Sequence, residues 1–451
     1  MIYALIGLPL IVAALVLVLR RARYICALLT AGAFAVLVAG LMAPRQTDAW
    51  LLFGRALNLP QLESAVLGYG FCVLAVTVLY AHWVPQGELA YPVTLGVAAL
   101  FTLATALRNV ALSSLLLEAG MIGAVILAPS DRPGAALGGM RSLVLVALAG
   151  PLLLVAAWAL ETYAGQPGNI QLVQLAGITL TIGFGIALGV VPWHIWQPAL
   201  YQHGRILAIA MLSVVLPAIL LLHLGNILKA ATWPGEQPFT LGILLAGGLA
   251  TSIAGSLLAS TQRSVGRALA YIAMADFGMV LLGLGLGTEE SSRAALLHMG
   301  YRGLGVCAAA MGAGLLQHVL GDDSQDVLRG AFRRAPAAML GVMVGGLSLV
   351  GMPLTAGFTT RLSVYTALTQ MHPVLGLVVV GFSLAPAWAI LRFCLDAWVS
   401  TPSTERREPR APGLLVVLLC LAILALGIWP NALASLASPW LDAVLGAVIW
   451  Q

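Results

Sequence analysis

"GVVPWHIWQPALYQHGR", residues 189–205, interrupts a chain otherwise dominated by Leu, Val, Ala and Gly. Two prolines, two histidines and the run Trp193-His194-Ile195-Trp196 are poor material for a membrane helix, yet long apolar segments flank them on both sides. The chain has 451 residues, 61% of them hydrophobic and 9% charged, with a mean hydropathy of +0.99. Soluble domains carry about 25% charged residues, so most of this surface must face lipid. Apolar runs of about 20 residues suffice to cross a hydrocarbon core as helices. The ~10-residue alternating segments of a β-barrel do not occur. The composition therefore predicts an all-α polytopic membrane protein.

Apolar runs between polar breaks predict spans near 2–19, 24–43, 64–83, 91–108, 109–128, 142–160, 172–192, 203–226, 239–260, 268–288, 294–318, 337–369, 373–397 and 411–429, about fourteen helices. Only Arg108-Asn109 divides the fourth from the fifth. No basic region precedes the first run, so it reads as a span rather than a cleavable signal. Alternate loops should carry most of the basic residues. If the loop after the first span is cytoplasmic, 14 of the 22 Lys and Arg fall on that side and 5 opposite, with Arg302, Arg361 and Arg392 inside spans. Both termini are then expected on the non-cytoplasmic side of a bacterial cytoplasmic (inner) membrane. The same asymmetry accounts for the +5 net charge and gives no support to nucleic-acid binding. Cys26, Cys72, Cys307, Cys394 and Cys420 lack CxxC spacing, which suggests neither a metal site nor a disulfide framework. The loops 319–336 and 398–410 read as solvated connectors or as docking surface for a cytoplasmic partner.

Glycine and proline recur in a second span, "SLVGMPLTAGFTTRL" (348–362), with Gly351, Pro353 and Gly357. Proline removes a backbone donor, and carbonyls freed in lipid need other partners. Breaks at matching places in two halves point to an inverted-repeat transporter. The expected organisation is an N-terminal three-helix region (1–90), two inverted five-helix repeats (91–226 and 239–397), each with a broken helix, and a C-terminal helix with a short tail (411–451). Pro192, His194, Pro353 and Gly357 mark the broken-helix positions.

"GFGIALGVVPWHIWQPALYQ" (183–202) resembles a signature of the antiporter-like membrane subunits of respiratory complex I, membrane-bound hydrogenases and multisubunit sodium/proton antiporters. That signature reads roughly G-x-G-x-K-x-x-x-V-P-F-H-x-W-x-P-D-x-Y, and Gly183, Gly185, Val191, Pro192, His194, Trp196, Pro198 and Tyr201 match it. "RSVGRALAYIAMADFGMVLLGLGLGT" (263–288), "ALLHMGYRGLGVCAAAMGAGLLQH" (295–318), "GGLSLVGMPLTAGFTTRLSVY" (345–365) and "LGIWPNAL" (426–433) are similar to further family stretches in the same order. The resemblance spans about residues 90–435, and the lack of a long arm after residue 430 resembles the shorter members.

In such subunits protons are thought to follow a polar mid-membrane axis of one glutamate and several lysines, a residue whose charge state responds readily to burial and neighbours. The resemblance places the glutamate at Glu118. It places family lysines at Ala187, Pro217 and Val306, where they are lost, and the last one at Arg361. Of two family histidines, His298 is kept and the second is Arg302; a polar position on the tenth span is Asp276. The only lysine in the chain is Lys229, and arginine does not deprotonate in proteins. Candidate proton-pathway residues are thus Glu118, Asp276, His298, Arg302 and Arg361, with Asp276 the expected counter-ion of Arg302. His194 and the tryptophans beside it are expected to anchor at the interface, His223 and Lys229 likewise, and Arg392 to pair with Asp396 or snorkel.

Three readings stay open: a changed proton relay in a complex I-like or hydrogenase-like oxidoreductase; a non-pumping scaffold subunit; and a membrane subunit of a cation/proton antiporter or inorganic-carbon uptake complex. The chain has no redox-centre ligands. No cofactor or catalytic residue of its own is expected, and its partners would be the bilayer, related antiporter-like subunits and, through the complex, redox subunits.

Overall fold

The computed structural model describes residues 2–43, 50–52, 54–130, 135–166, 168–230, 237–399, 407–432 and 435. Arg45, Arg132 and Arg406, used above for sidedness, lie outside them, as does most of the tail after residue 432. Among the described residues, eleven helices are long and apolar enough to cross a membrane; Ile2–Val18, Ala90–Ala106 and Pro336–Val350 are shorter apolar helices. The chain is a mostly helical integral membrane protein. A small antiparallel hairpin, Trp50–Leu52 with Arg55–Leu57, is an addition that the apolar pattern does not announce.

Helix starts follow local chemistry. Asn109 accepts from the backbone N–H of Leu112 at 2.9 Å, Ser264 caps through Arg267 and Thr288 through Ser291, each satisfying an otherwise orphaned donor. The thin division at Arg108-Asn109 is therefore a true break. Leu107 is extended and bridges to Leu57. Other spans depart from the expected bounds. The one expected at 142–160 is Ala135–Ala147 followed by Ala149–Gly165, stepped at Leu148. The one expected at 294–318 extends over Glu289–Leu320, because the cap at Thr288 lets polar residues join the helix.

Both breaks anticipated from sequence are present, but glycine terminates the helices. Ile170–Leu188 ends at Gly189 with φ 66°, and Pro336–Val350 ends at Gly351 with φ 78°. This left-handed conformation favours glycine and closes a helix C-terminus. Pro192 and Pro353 lie just beyond, on exposed backbone.

The helices Gln237–Thr261 and Val265–Gly285 pack with their backbones nearly touching. A β-carbon on Gly278 would lie 2.5 Å from the Ser252 nitrogen, and one on Gly255 2.7 Å from the Ala275 nitrogen. Small residues permit such approach where no hydrophobic force drives helices together. Gly278→Ala should therefore cost about 1–3 kcal/mol through overpacking and lower the melting temperature in detergent. Gly96→Ala, whose β-carbon would meet nothing within 4 Å, should leave it unchanged or raised; equal melting temperatures for the two variants would contradict this packing.

Candidate functional site: a buried charge cluster at a broken helix

Asp276 has no accessible surface. It sits mid-way along Val265–Gly285, two residues before Gly278, so the close glycine packing fixes its position. His298 and Arg302, one turn apart on Glu289–Leu320, reach it from the next helix. His298 Nε2 lies 2.8 Å from Asp276 Oδ1, and Arg302 Nε lies 3.3 Å from Oδ2. Arg361, from the helix Phe358–Met371 that follows the second break, brings a terminal guanidinium nitrogen to 3.6 Å from Oδ1. One carboxylate thus faces two guanidiniums and an imidazole, all buried. The expected counter-ion of Arg302 stands where the sequence reading put it.

The remaining donors take backbone carbonyls. Arg361 donates to the Leu349 carbonyl, at the end of the broken helix, and its Nε donates to the Tyr365 hydroxyl at 3.0 Å. A β-carbon on Gly351 would lie 2.3 Å from Arg361 Cδ, so this glycine both ends the helix and leaves room for the arginine stem. Arg302 donates to the carbonyls of Ser213 and Ala273 and lies over the Phe277 ring, 5.2 Å from its centroid, a cation–π distance.

Ser213 lies in a π-helical turn, Met211–Val215, just before Pro217. Proline has no N–H to offer the carbonyl four residues earlier. Pro217 thus leaves the Ser213 carbonyl as an acceptor that Arg302 uses. Ala187 and Val306 are buried among apolar side chains.

His298 is held at both nitrogens. Its Nδ1 is 2.8 Å from Thr360 Oγ1, and the Thr360 hydroxyl also reaches the Gly357 carbonyl at 3.2 Å. When that hydroxyl donates to Gly357, Nδ1 must donate to it; with Nε2 donating to Asp276 the ring is then an imidazolium. When the hydroxyl turns to Nδ1, the ring is neutral and keeps Nε2–H on Asp276. A proton on His298 is therefore coupled to a hydrogen bond at the start of Phe358–Met371. A β-carbon on Gly357 would come within 3.2 Å of the imidazole, so glycine lets the ring seat there. Thr360 carried no signal in sequence beyond its place beside Arg361.

Glu118 has no contact with this cluster. It is buried in Val110–Leu127, against the start of Ala149–Gly165, where a β-carbon on Gly150 would lie 2.6 Å from its carboxyl carbon. Its Oε2 has no hydrogen-bond partner among the described residues. At the first break the freed carbonyls have neutral donors: Trp196 Nε1 on Ile186 at 3.0 Å and Gln197 on Leu188 at 3.0 Å. Trp196 is 2% exposed and caps a broken helix, which corrects its expected role as an interfacial anchor. His194 rests near Tyr271, ring centroids 6.2 Å apart. Arg392 donates to the carbonyls of Ser260 and Gln262, while Asp396 accepts from Gln325. These partners differ from the expected Arg392–Asp396 pair because the C-terminal end of Gln237–Thr261 offers carbonyls within reach. His223 is buried rather than interfacial.

The fold and this cluster define an antiporter-like membrane subunit, and the family model "NADH:quinone oxidoreductase/Mrp antiporter, TM" matches residues 104–385. The chain belongs to that family. It is similar to "NADH-quinone oxidoreductase subunit N 2" of Acidobacterium capsulatum, 28% identical over 286 residues, 60% of this chain and 57% of that one. It is 27% identical over 293 residues to "Formate hydrogenlyase subunit 3" of Escherichia coli, 59% of this chain and 47% of that one. The match thus spans about half the length of these relatives. A chain in the structure of the membrane-bound sulfane sulfur reductase, an archaeal respiratory membrane complex, superposes with a TM-score of 0.84 at 21% identity, covering 98% of this chain and 97% of that one.

Removing one member of a buried ion cluster strands the others and costs about 3–5 kcal/mol. Asp276→Asn should therefore depress the melting temperature and yield of the membrane-extracted protein. Adding Arg302→Gln should recover part of that loss, as a coupled pair requires. Strict additivity of the two changes would remove the pairing.

Proposed function

We propose that this chain is an antiporter-like subunit of an ion-translocating membrane complex, most closely of the complex I-like or hydrogenase-like oxidoreductase kind, and that it moves protons. Fourteen crossings result if the three shorter apolar helices are counted with the eleven longer ones. Residues 91–226 and 239–397 then form two inverted five-helix repeats, with 1–90 in front and 411–451 behind. The charge asymmetry supports both termini lying on the non-cytoplasmic side of a bacterial inner membrane. Related antiporter-like subunits are the proposed neighbours, and electrons pass through redox subunits elsewhere in the complex.

The observation that carries this reading is His298, held between Asp276 and Thr360 beside a broken helix. Ionisable groups inside a membrane are costly and by default functional. Asp276 and the two arginines form a fixed electrostatic frame, and His298 is the group within it that loads and releases a proton. The broken helix supplies polar backbone at the depth where the proton must pause. Glu118 serves the first half. A scaffold reading is favoured by a different observation: Asp276 is matched by two guanidiniums and an imidazole, while Ala187, Pro217 and Val306 cannot carry protons.

His298→Gln separates the two. Glutamine keeps donors and an acceptor for Asp276 and Thr360 but cannot take up a proton. In vesicles containing the intact complex, proton translocation should fall to background while subunit composition stays unchanged. Undiminished translocation with normal assembly would overturn the proton role and leave the scaffold.

A further inference from the structure

The first half has lost its lysines, yet it holds a buried imidazole that the sequence pattern does not mark. His223 lies in Leu216–Ala230 and packs against Val110–Leu127. Its Nε2 is 3.0 Å from Ser114 Oγ and its Nδ1 3.5 Å from Ser113 Oγ. On the remaining side is the Phe184 ring, 6.1 Å away between centroids. The Ser113 hydroxyl donates to the Val110 carbonyl at 3.1 Å, so it presents a lone pair to Nδ1–H. Ser114 can turn its hydrogen toward or away from Nε2, since a hydroxyl both donates and accepts. The neutral ring and the imidazolium are therefore both satisfied without moving a heavy atom.

Two further observations place this histidine on a route. It lines a cavity of about 350 Å³ whose wall also includes Arg108, Ser113, Asn226 and Lys229. Arg108 and Lys229 fall in the loops assigned above to the non-cytoplasmic side, and Arg108 is paired with Glu63 at 3.5 Å. In the other direction, Ser114 is one turn before Glu118 on the same helix face, which puts their β-carbons about 5–6 Å apart, a gap that one water can span. Glu118, buried with its carboxyl against Gly150 at the start of Ala149–Gly165, is the inner end of that route.

We propose that His223 is the proton carrier of the first half, linking Glu118 through Ser114 to a water-filled cavity that opens on the non-cytoplasmic side. The transfer is proton exchange alone. A proton passed from Glu118 through Ser114 binds Nε2, and Nδ1 releases its proton past Ser113 to cavity water; transfer inward starts from the tautomer with its hydrogen on Nε2, after the Ser113 hydroxyl turns to Nδ1. The charged groups facing the ring's surroundings are Arg108 and Lys229 on the cavity wall, with Glu118 beyond Ser114. The inference rests on the proton-translocating reading above but concerns a different set of residues from the Asp276 cluster.

The test uses the intact complex in vesicles with four single variants: His223→Gln, Glu118→Gln, Asn226→Cys and His298→Gln. His223→Gln keeps hydrogen bonding to the serines and removes the proton site. Translocation should fall at least severalfold with assembly intact, and the pH dependence of what remains should lose the limb that depends on Glu118→Gln. Asn226→Cys should react with a membrane-impermeant maleimide from the non-cytoplasmic face, faster than the unsubstituted chain. Loss of translocation in His298→Gln but not in His223→Gln would overturn this inference and leave the second-half relay standing. No loss in either would overturn both readings. Labelling of Cys at 226 only from the cytoplasmic face would overturn the route even if His223→Gln were inactive.

Discussion

A carboxylate with no accessible surface, placed on a membrane helix, has to be neutralised where it stands. Water cannot reach Asp276, and a lone buried ion is far too costly to persist. The elements that carry the cluster converge on that one group. The Gln237–Thr261 and Val265–Gly285 helices meet through glycines on either side of it. Glu289–Leu320 brings His298 and Arg302 to one face, and the second broken helix brings Arg361. Guanidinium groups suit the task, since each has several donors in a rigid plane and can serve the carboxylate and nearby carbonyls together.

The two breaks solve the same backbone problem with different chemistry. A helix ended inside lipid leaves carbonyls without partners. At Gly189 they are taken by indole and amide donors from Trp196 and Gln197. At Gly351 one of them is taken by Arg361, which also faces Asp276. The first break is therefore closed by neutral groups and the second by a charge that belongs to the cluster. A shift of the second half-helix would disturb Asp276 directly, whereas a shift of the first would not.

The apolar runs, the breaks and the residues of the cluster were legible in the sequence because each leaves a mark: a long greasy run, a glycine near a proline, a charge where charges are rare. Family spacing placed Asp276, His298, Arg302 and Arg361 as candidates, and the fold brings those four together. What stayed hidden was hidden for physical reasons. His223 reads as interfacial because a histidine near the end of an apolar run normally is, and only tertiary packing against Ser113 and Ser114 buries it. Trp196 reads as an interfacial belt residue for the same reason. Thr360 looks like filler until the imidazole is seen against it. Proline, the obvious helix breaker, drew attention to Pro192 and Pro353, while the left-handed backbone at Gly189 and Gly351 ends the helices.

Pro217 and Arg302 belong together. Proline at 217 withholds an N–H from the Ser213 carbonyl, and a guanidinium from the other half of the molecule occupies it. Arg302 thereby spans from the turn Met211–Val215 to Asp276 with a charge that cannot be removed. A lysine there could pass a proton between halves; an arginine cannot, because it does not deprotonate. What crosses this junction is therefore an electrostatic influence and a mechanical link.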